Sequence, residues 1–262
     1  MFIDSHCHLF YDDFKNDIAD VISRANNAGV QYFIVPATNH ETALQAIALA
    51  EKYPSIFVSV GFHPLDLKDF STERLALIEE MVSHPKVVAI GEIGIDYFYD
   101  TSPREYQKEI FSLQIELAIR KNLPIIVHTR DSVQDAVDIA LRHAKSHPEW
   151  RNQGKRGVFH CFTGDTVQAK ALFDNNFLIS FPGPITFKKS IMPDLIKEIG
   201  IEHVMVETDS PYLTPVPYRG KRNEPSYIPL IAQKIADTLN ISIEEVGRVT
   251  TLNAKKLFNL PI

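Results

Sequence analysis

Phe2-Ile3-Asp4-Ser5-His6-Cys7-His8 opens the chain with a short β-type run that ends in two histidines one residue apart. Successive side chains of an extended strand alternate faces, so His6 and His8 point to the same side. Two neutral imidazoles aimed at one point are half of a metal site, and further donors are needed to complete it. Residues able to do so follow similar runs further along: His63, Glu92, His128, His160, Glu207 and Asp209.

Working outward from that first run, β-type stretches recur at 2–5, 32–36, 56–61, 87–91, 124–127, 157–159, 177–181 and 204–207. Helical patterns lie between and after them, at 11–28, 40–52, 71–83, 103–122, 131–146, 166–175, 188–199, 226–238 and 242–258. Ser71 and the Thr101-Ser102-Pro103 step supply start signals, and Gly29 and Gly200 stand where helices should stop. Eight strands about thirty residues apart, each followed by a helix, predict an α/β fold, a (β/α)8 TIM-like barrel. An open doubly wound sheet would carry a glycine-rich turn after the first strand, and His-Cys-His stands there instead. No linker divides the chain, so residues 1–262 are read as a single domain. The least regular stretch, 211–229, reads as a long loop after the last strand.

In such a barrel the carboxyl ends of all strands converge on one mouth, where chemistry is built. His6, His8, His63, Glu92, His128, His160, Glu207 and Asp209 all fall at those ends. The remaining histidines, at 40, 84, 143, 147 and 203, fall at helix starts, helix ends or a strand's opening. Random scatter would not sort them this way.

Composition bounds the rest. A chain of 262 residues with 45% hydrophobic and 23% charged residues can bury a large core. Two cysteines give no disulfide framework, and with no signal peptide and no apolar run long enough to span a bilayer, a cytoplasmic location is expected. Cys7 and Cys161 adjoin candidate ligands, but alternation turns their thiols away, and both read as buried small apolar residues. The net charge of −6 argues against a broad basic face for duplex nucleic acid. It does not exclude a phosphate substrate, because bound divalent cations would supply positive charge locally. Imidazole with carboxylate suits Zn, Mn, Co, Ni or Fe(II), and leaves Mg possible.

The sequence resembles the TatD-type metal-dependent deoxyribonucleases, a branch of the amidohydrolase superfamily, along essentially its whole length. The resemblance rests on the opening run together with Gly61-Phe62-His63-Pro64, Gly91-Glu92-Ile93-Gly94-Ile95-Asp96-Tyr97 and Pro124-Ile125-Ile126-Val127-His128-Thr129-Arg130. It continues in His160-Cys161-Phe162-Thr163-Gly164, Glu207-Thr208-Asp209-Ser210-Pro211-Tyr212-Leu213 and Arg222-Asn223-Glu224-Pro225. It implies a TIM-like barrel with two or three divalent metal ions. His6, His8 and Asp209 would hold one ion, His128 and His160 a second, and Glu92 would bridge them. It also implies DNA as substrate, cleaved by 3′→5′ exonuclease or endonuclease action. Relatives linked to D-aminoacyl-tRNA deacylation leave the ester open.

Paired cations about 3.5–4 Å apart can activate one water and polarise a phosphoryl oxygen. Glu92 and Asp209 are the expected catalytic carboxylates, with Asp209 accepting the water's proton. Glu207 is open between a third-metal ligand and an orienter of a histidine. His63 is open between a contact to a phosphate or metal-bound water and an orienter of a ligand, and Arg130 and Arg222 between contacts to substrate phosphates and solvated surface. Tyr97, Tyr99, Phe162 and Tyr212 could stack on bases, favouring single-stranded DNA or 3′ ends. The rival readings are a small-molecule amidohydrolase, weakened by Glu92 at a position where many carry a modified lysine, and a metal-stabilised scaffold without catalysis. No membrane contact and no obligate protein partner are expected.

Overall fold

Parallel strands cannot be joined by tight hairpins, so each hydrophobic run needs a crossover, and the amphipathic stretches supply it. In this computed structural model, which describes residues 1–99, 101–152 and 154–261, the pattern is realised as alternating strands and helices. The first half comprises β1 (Phe2–Asp4), α1 (Ile18–Asn27), β2 (Val30–Pro36), α2 (His40–Lys52), β3 (Ile56–Val60), α3 (Thr72–Met81), β4 (Val87–Asp96) and α4 (Arg104–Lys121). The second comprises β5 (Ile125–Arg130), α5 (Val133–Ser146), β6 (Gly157–Phe159), α6 (Thr166–Asp174), β7 (Phe177–Phe181), α7 (Met192–Ile199), β8 (Val204–Val206), α8 (Ile228–Leu239) and α9 (Ile243–Phe258). The eight strands pair in parallel in chain order, β1 through β8, as a TIM-like barrel requires. Among the described residues no helix is long and apolar enough to cross a membrane.

The barrel closes beyond the formal ends of β1 and β8. Ser5 N–H donates to the Val206 carbonyl, Asp209 N–H to that of His6 and His8 N–H to that of Ser210. Asp4 reinforces the seam by accepting the backbone N–H and the hydroxyl of Thr208. Burial pushes the Asp4 carboxyl up to about 7 against the pull of those bonds.

Two apolar layers hold the fold. Ile3, Ile34, Phe57, Val88, Ile126, Val158, Leu178 and Met205, one from each strand, cluster with Ala254, Leu257, Phe258 and Leu260 from the end of the chain. These strand residues fill the barrel, and α9 with the residues after it covers its floor. A larger cluster packs the outer faces of the strands against the helices. Ser71 caps α3 by accepting the N–H of Arg74, and Gly29 and Gly200 adopt positive φ at helix ends.

Several boundaries differ from expectation. The helix expected from residue 11 begins at Ile18, because Asp12–Phe14 forms a 3-10 turn first. That expected from 188 begins at Met192, with Pro193 in its first turn. β4 and β5 run on to Asp96 and Arg130, so Glu92 and His128 lie within their strands rather than after them. The β4–β5 register shifts between Ile90 and Ile93, a bulge that re-aims Glu92. Glycine makes the close approach possible. A Cβ at Gly91 would lie 2.7 Å from the Ile126 Cβ, and one at Gly94, where φ is +148°, would collide with the His128 carbonyl.

Candidate metal centre

β1, β4, β5, β6 and β8 bring together His6, His8, Glu92, His128, His160 and Asp209, from within β4 and β5 and from just beyond the other three. All but Asp209 and His128 are nearly fully buried. Glu92 lies at the middle. Its Oε2 is 3.2 Å from His6 Nε2 and 3.7 Å from His8 Nε2, and Asp209 Oδ1 is 3.6 and 3.5 Å from the same two nitrogens. Its Oε1 is 2.8 Å from His160 Nε2 and 3.0 Å from His128 Nδ1, which are themselves 3.3 Å apart. Donors about 2.1 Å from one cation lie about 3.0–3.4 Å from each other, so both sets fit an ion with little rearrangement.

A ligand imidazole must offer a lone pair, and its second nitrogen decides whether it can. His8 Nδ1 faces the Pro36 carbonyl at 3.2 Å, which can only accept, so Nδ1 carries the proton and Nε2 is free. His128 Nε2 donates to Asp96 Oδ2 at 3.1 Å and leaves Nδ1 free. His160 Nδ1 lies 3.4 Å from Glu207 Oε1, a charge contact rather than an aligned hydrogen bond, with Nε2 turned to Glu92. His6 Nδ1 is buried with no partner in the structure, and its ring is steadied by stacking on His160 at 3.9 Å.

His63 differs from these rings in the protonation of the nitrogen it turns towards Glu92. Its Nδ1 accepts the N–H of Leu65 at 3.1 Å, so Nε2 carries a hydrogen and points towards Glu92 Oε1, 3.4 Å away. It offers a donor where the others offer lone pairs, which suits a contact to substrate.

Electrostatics follow from crowding. Burial opposes ionisation of Glu92, but the imidazoles of His160, His6 and His63 override it and hold the carboxyl well below its usual range. Burial would also lower His160, yet Glu92 and Glu207 hold it well above the ordinary histidine value. Protons thus take up part of the charge that a cation would supply.

Glu207 is fully buried, and its oxygens are already committed. Oε1 accepts the Cys161 N–H at 2.7 Å and Oε2 accepts the Ser180 hydroxyl at 2.6 Å. Of the two roles open to it, this geometry suits the orienter. Cys7 is buried, with its thiol near the Ile34 carbonyl, as expected; Cys161 is only partly buried and has φ of +46°, a departure from its buried reading. Phe162 is fully buried and cannot meet a base. The Tyr97 hydroxyl donates to Asp135 and its ring is covered by Arg104.

Arg222 also departs from expectation. Its fork donates to both oxygens of Asp17 at 2.8 and 2.7 Å and its plane covers Phe14. Beside it Arg24, in the last turn of α1, grips Glu224, so the loop after β8 is clasped to both ends of α1. Asn223 pins the same loop by donating to the Thr208 carbonyl, next to Asp209. Arg130, by contrast, lies over Phe98 and Tyr99 on the rim. The residue that sequence reasoning left without a role is Asp96, whose even spacing from Glu92 in one strand run was the available signal.

The family profile described as TatD related DNase matches residues 3–259. The chain belongs to that family. It is 42% identical over 261 residues to an uncharacterized metal-dependent hydrolase, YabD of Bacillus subtilis (strain 168), covering 99% of this chain and 100% of that one. The solved structure of YJJV, a TatD homolog from Escherichia coli K12, superposes with a TM-score of 0.91 at 31% identity, covering 99% of this chain and 98% of the other. An uncharacterized amidohydrolase from Saccharomyces cerevisiae has a TM-score of 0.81 at 17% identity over 98% of this chain and 99% of its own, a likeness of fold alone. The protein is a metal-dependent hydrolase of the TatD family. Its buried His, Glu and Asp groups are of the kind that holds metal.

Proposed function

We propose that this TatD-family protein hydrolyses phosphodiester bonds in DNA at a centre of two divalent ions. The observation that carries the reading is the division of Glu92, one oxygen facing His6 and His8 and the other facing His128 and His160. His6, His8 and Asp209 would hold one ion and His128 and His160 the other. Bound there, the metals would supply Lewis acidity for the phosphoryl group and a water acidic enough to ionise near neutral pH.

The side chains do the rest. Glu92 and Asp209 stay ionised beside the imidazoles, so Asp209, the more open of the two, can accept the water's proton at its second oxygen. The Nε2–H of His63 would donate to a non-bridging phosphate oxygen. Asp96 and Glu207 would hold His128 and His160 in the tautomers that ligation needs. Arg130 supplies a cation on the rim for a neighbouring phosphate. The family's description as DNases favours DNA over a cyclic amide.

The test is to supply purified protein with Mg, Mn, Co or Zn. It is then assayed on a labelled single-stranded oligonucleotide, the same sequence as a duplex, a dihydropyrimidine-type amide and a D-aminoacyl ester. Metal-dependent cleavage of the oligonucleotide is the expected result. Turnover of the amide or ester with none of the DNA would reassign the site.

A further inference from the structure

Asp209 carries its carboxylate on a backbone turned into the left-handed region, with φ of +55°. A residue with a Cβ rests there only when its surroundings hold it. The direction of the carboxylate follows from that turn. Whatever fixes the two peptide groups flanking the Asp209 Cα therefore also aims Oδ1 at His6 and His8.

Both peptide groups are gripped at both polar ends. Between Thr208 and Asp209, the N–H donates to the His6 carbonyl and the carbonyl accepts the side-chain amide of Asn223 at 2.8 Å. Between Asp209 and Ser210, the carbonyl accepts the N–H of Tyr212 at 3.0 Å and the N–H donates to the Thr208 hydroxyl at 3.2 Å. Three of these four partners belong to the turn itself or to a candidate ligand. Asn223 alone is brought in from the far end of the loop.

That side chain is fully buried and spent on backbone. The second hydrogen of its amide goes to the Tyr212 carbonyl at 2.5 Å, its Oδ1 accepts the N–H of Glu224 at 2.9 Å, and its own N–H donates to the Pro211 carbonyl at 3.0 Å. A carbonyl can only accept and an N–H only donate, so these partners fix which way the amide faces. One side chain thus spans the turn from Thr208 to Tyr212, with Asp209 inside the span.

We infer that Asn223 is a positioning residue for Asp209, holding it in the left-handed turn and so setting how tightly the ion shared with His6 and His8 is bound, without touching that ion. The inference rests on the metal-centre reading above.

The experiment titrates chelator-stripped protein with Mn(II) by calorimetry, with retained Mn counted by elemental analysis after dialysis. Loss of a residue that orients a ligand typically costs about 10–100-fold in metal affinity. Asn223→Ala should weaken one ion by that factor, the same ion that Asp209→Ala weakens. Added to Asp209→Ala, it should cost nothing further, because the carboxylate it aims is already gone. Arg222→Ala, which loosens the same loop from its outer side, should bind Mn as the native protein does. If circular dichroism shows Asn223→Ala to be unfolded, Asn223→Ser, whose hydroxyl can serve one of the two carbonyls, takes its place with a smaller loss of the same ion. Native Mn affinity in the folded variant overturns the inference. So does an equal loss in Arg222→Ala, or a further loss on top of Asp209→Ala. A native protein that binds no Mn would instead remove the metal-centre reading, and the inference with it.

Discussion

The backbone N–H of Asp209 donates to the carbonyl of His6 at 2.9 Å, so two candidate ligands from opposite ends of the chain position each other. This bond closes the barrel and builds the metal centre at the same place. Because it uses main-chain atoms, it survives loss of the Asp209 carboxylate.

Asp209→Ala should therefore keep the fold and lose the function. Loss of an outer partner of a ligand typically costs about 10–100-fold in metal affinity or activity, and loss of a ligand should exceed that. Metal content by elemental analysis and cleavage of a labelled oligonucleotide are the readouts. Native activity in this variant would remove Asp209 from the centre.

Asp96→Asn should weaken metal binding by about 10–100-fold, because His128 loses the carboxylate that fixes its tautomer. Excess metal should restore much of the activity. A metal titration followed by calorimetry reports the shift, and an unchanged affinity would leave Asp96 with only its bonds from the backbone N–H groups of Phe98 and Tyr99 to explain.

Glu207→Gln separates the two roles considered for Glu207. As an orienter of His160, its replacement should lower affinity while leaving the number of ions per chain unchanged. Loss of one ion from the stoichiometry would make it a ligand.

Metal binding should release protons at neutral pH. Burial lowers His160, but Glu92 and Glu207 raise it well above its ordinary 6.5, so the metal-free ring is charged where ligation needs it neutral. Its charged form stabilises the metal-free fold fully below pH 6.5, and that contribution is lost as the pH rises through the raised value. Metal affinity runs the other way and climbs with pH. Calorimetry in buffers of different ionisation enthalpy counts the protons, and zero release at pH 7 would contradict the charge assignment.

Arg222→Ala should lower the Tm by roughly 2–4 °C at pH 7, the effect of losing about 1 kcal/mol from a partly exposed clasp in a domain of this size. Bonding to Arg222, against slight burial and with help from Arg24, lowers Asp17 below its ordinary 3.8. The contribution of the pair is thus present above pH 3.8 and fades as the pH falls through the depressed value. Thermal melts of both proteins from pH 7 down to about pH 3 should converge at the acid end.

The barrel and the converging ligands were legible because both follow from alternation: a polar residue at the end of an apolar run has a predictable place. Glu92 and His128 were found even though their strands run further than expected, since Ile93–Asp96 pairs with Val127–Arg130 only once Gly94 lets the backbones approach. What stayed hidden depended on partners remote in sequence. Nothing in the spacing ties Arg222 to Asp17 or turns Phe162 inward. The tautomer of His63 rests on one backbone N–H in the turn that follows it.

The floor beneath the strands has a consequence for how a polymer is handled. Among the described residues, Leu257 and Phe258 are buried in one cluster with the barrel side chains, which closes the floor beneath the strands. On the phosphodiesterase proposal, a strand would have to dip a terminus or a bend into the mouth and the cut piece would leave by the same doorway.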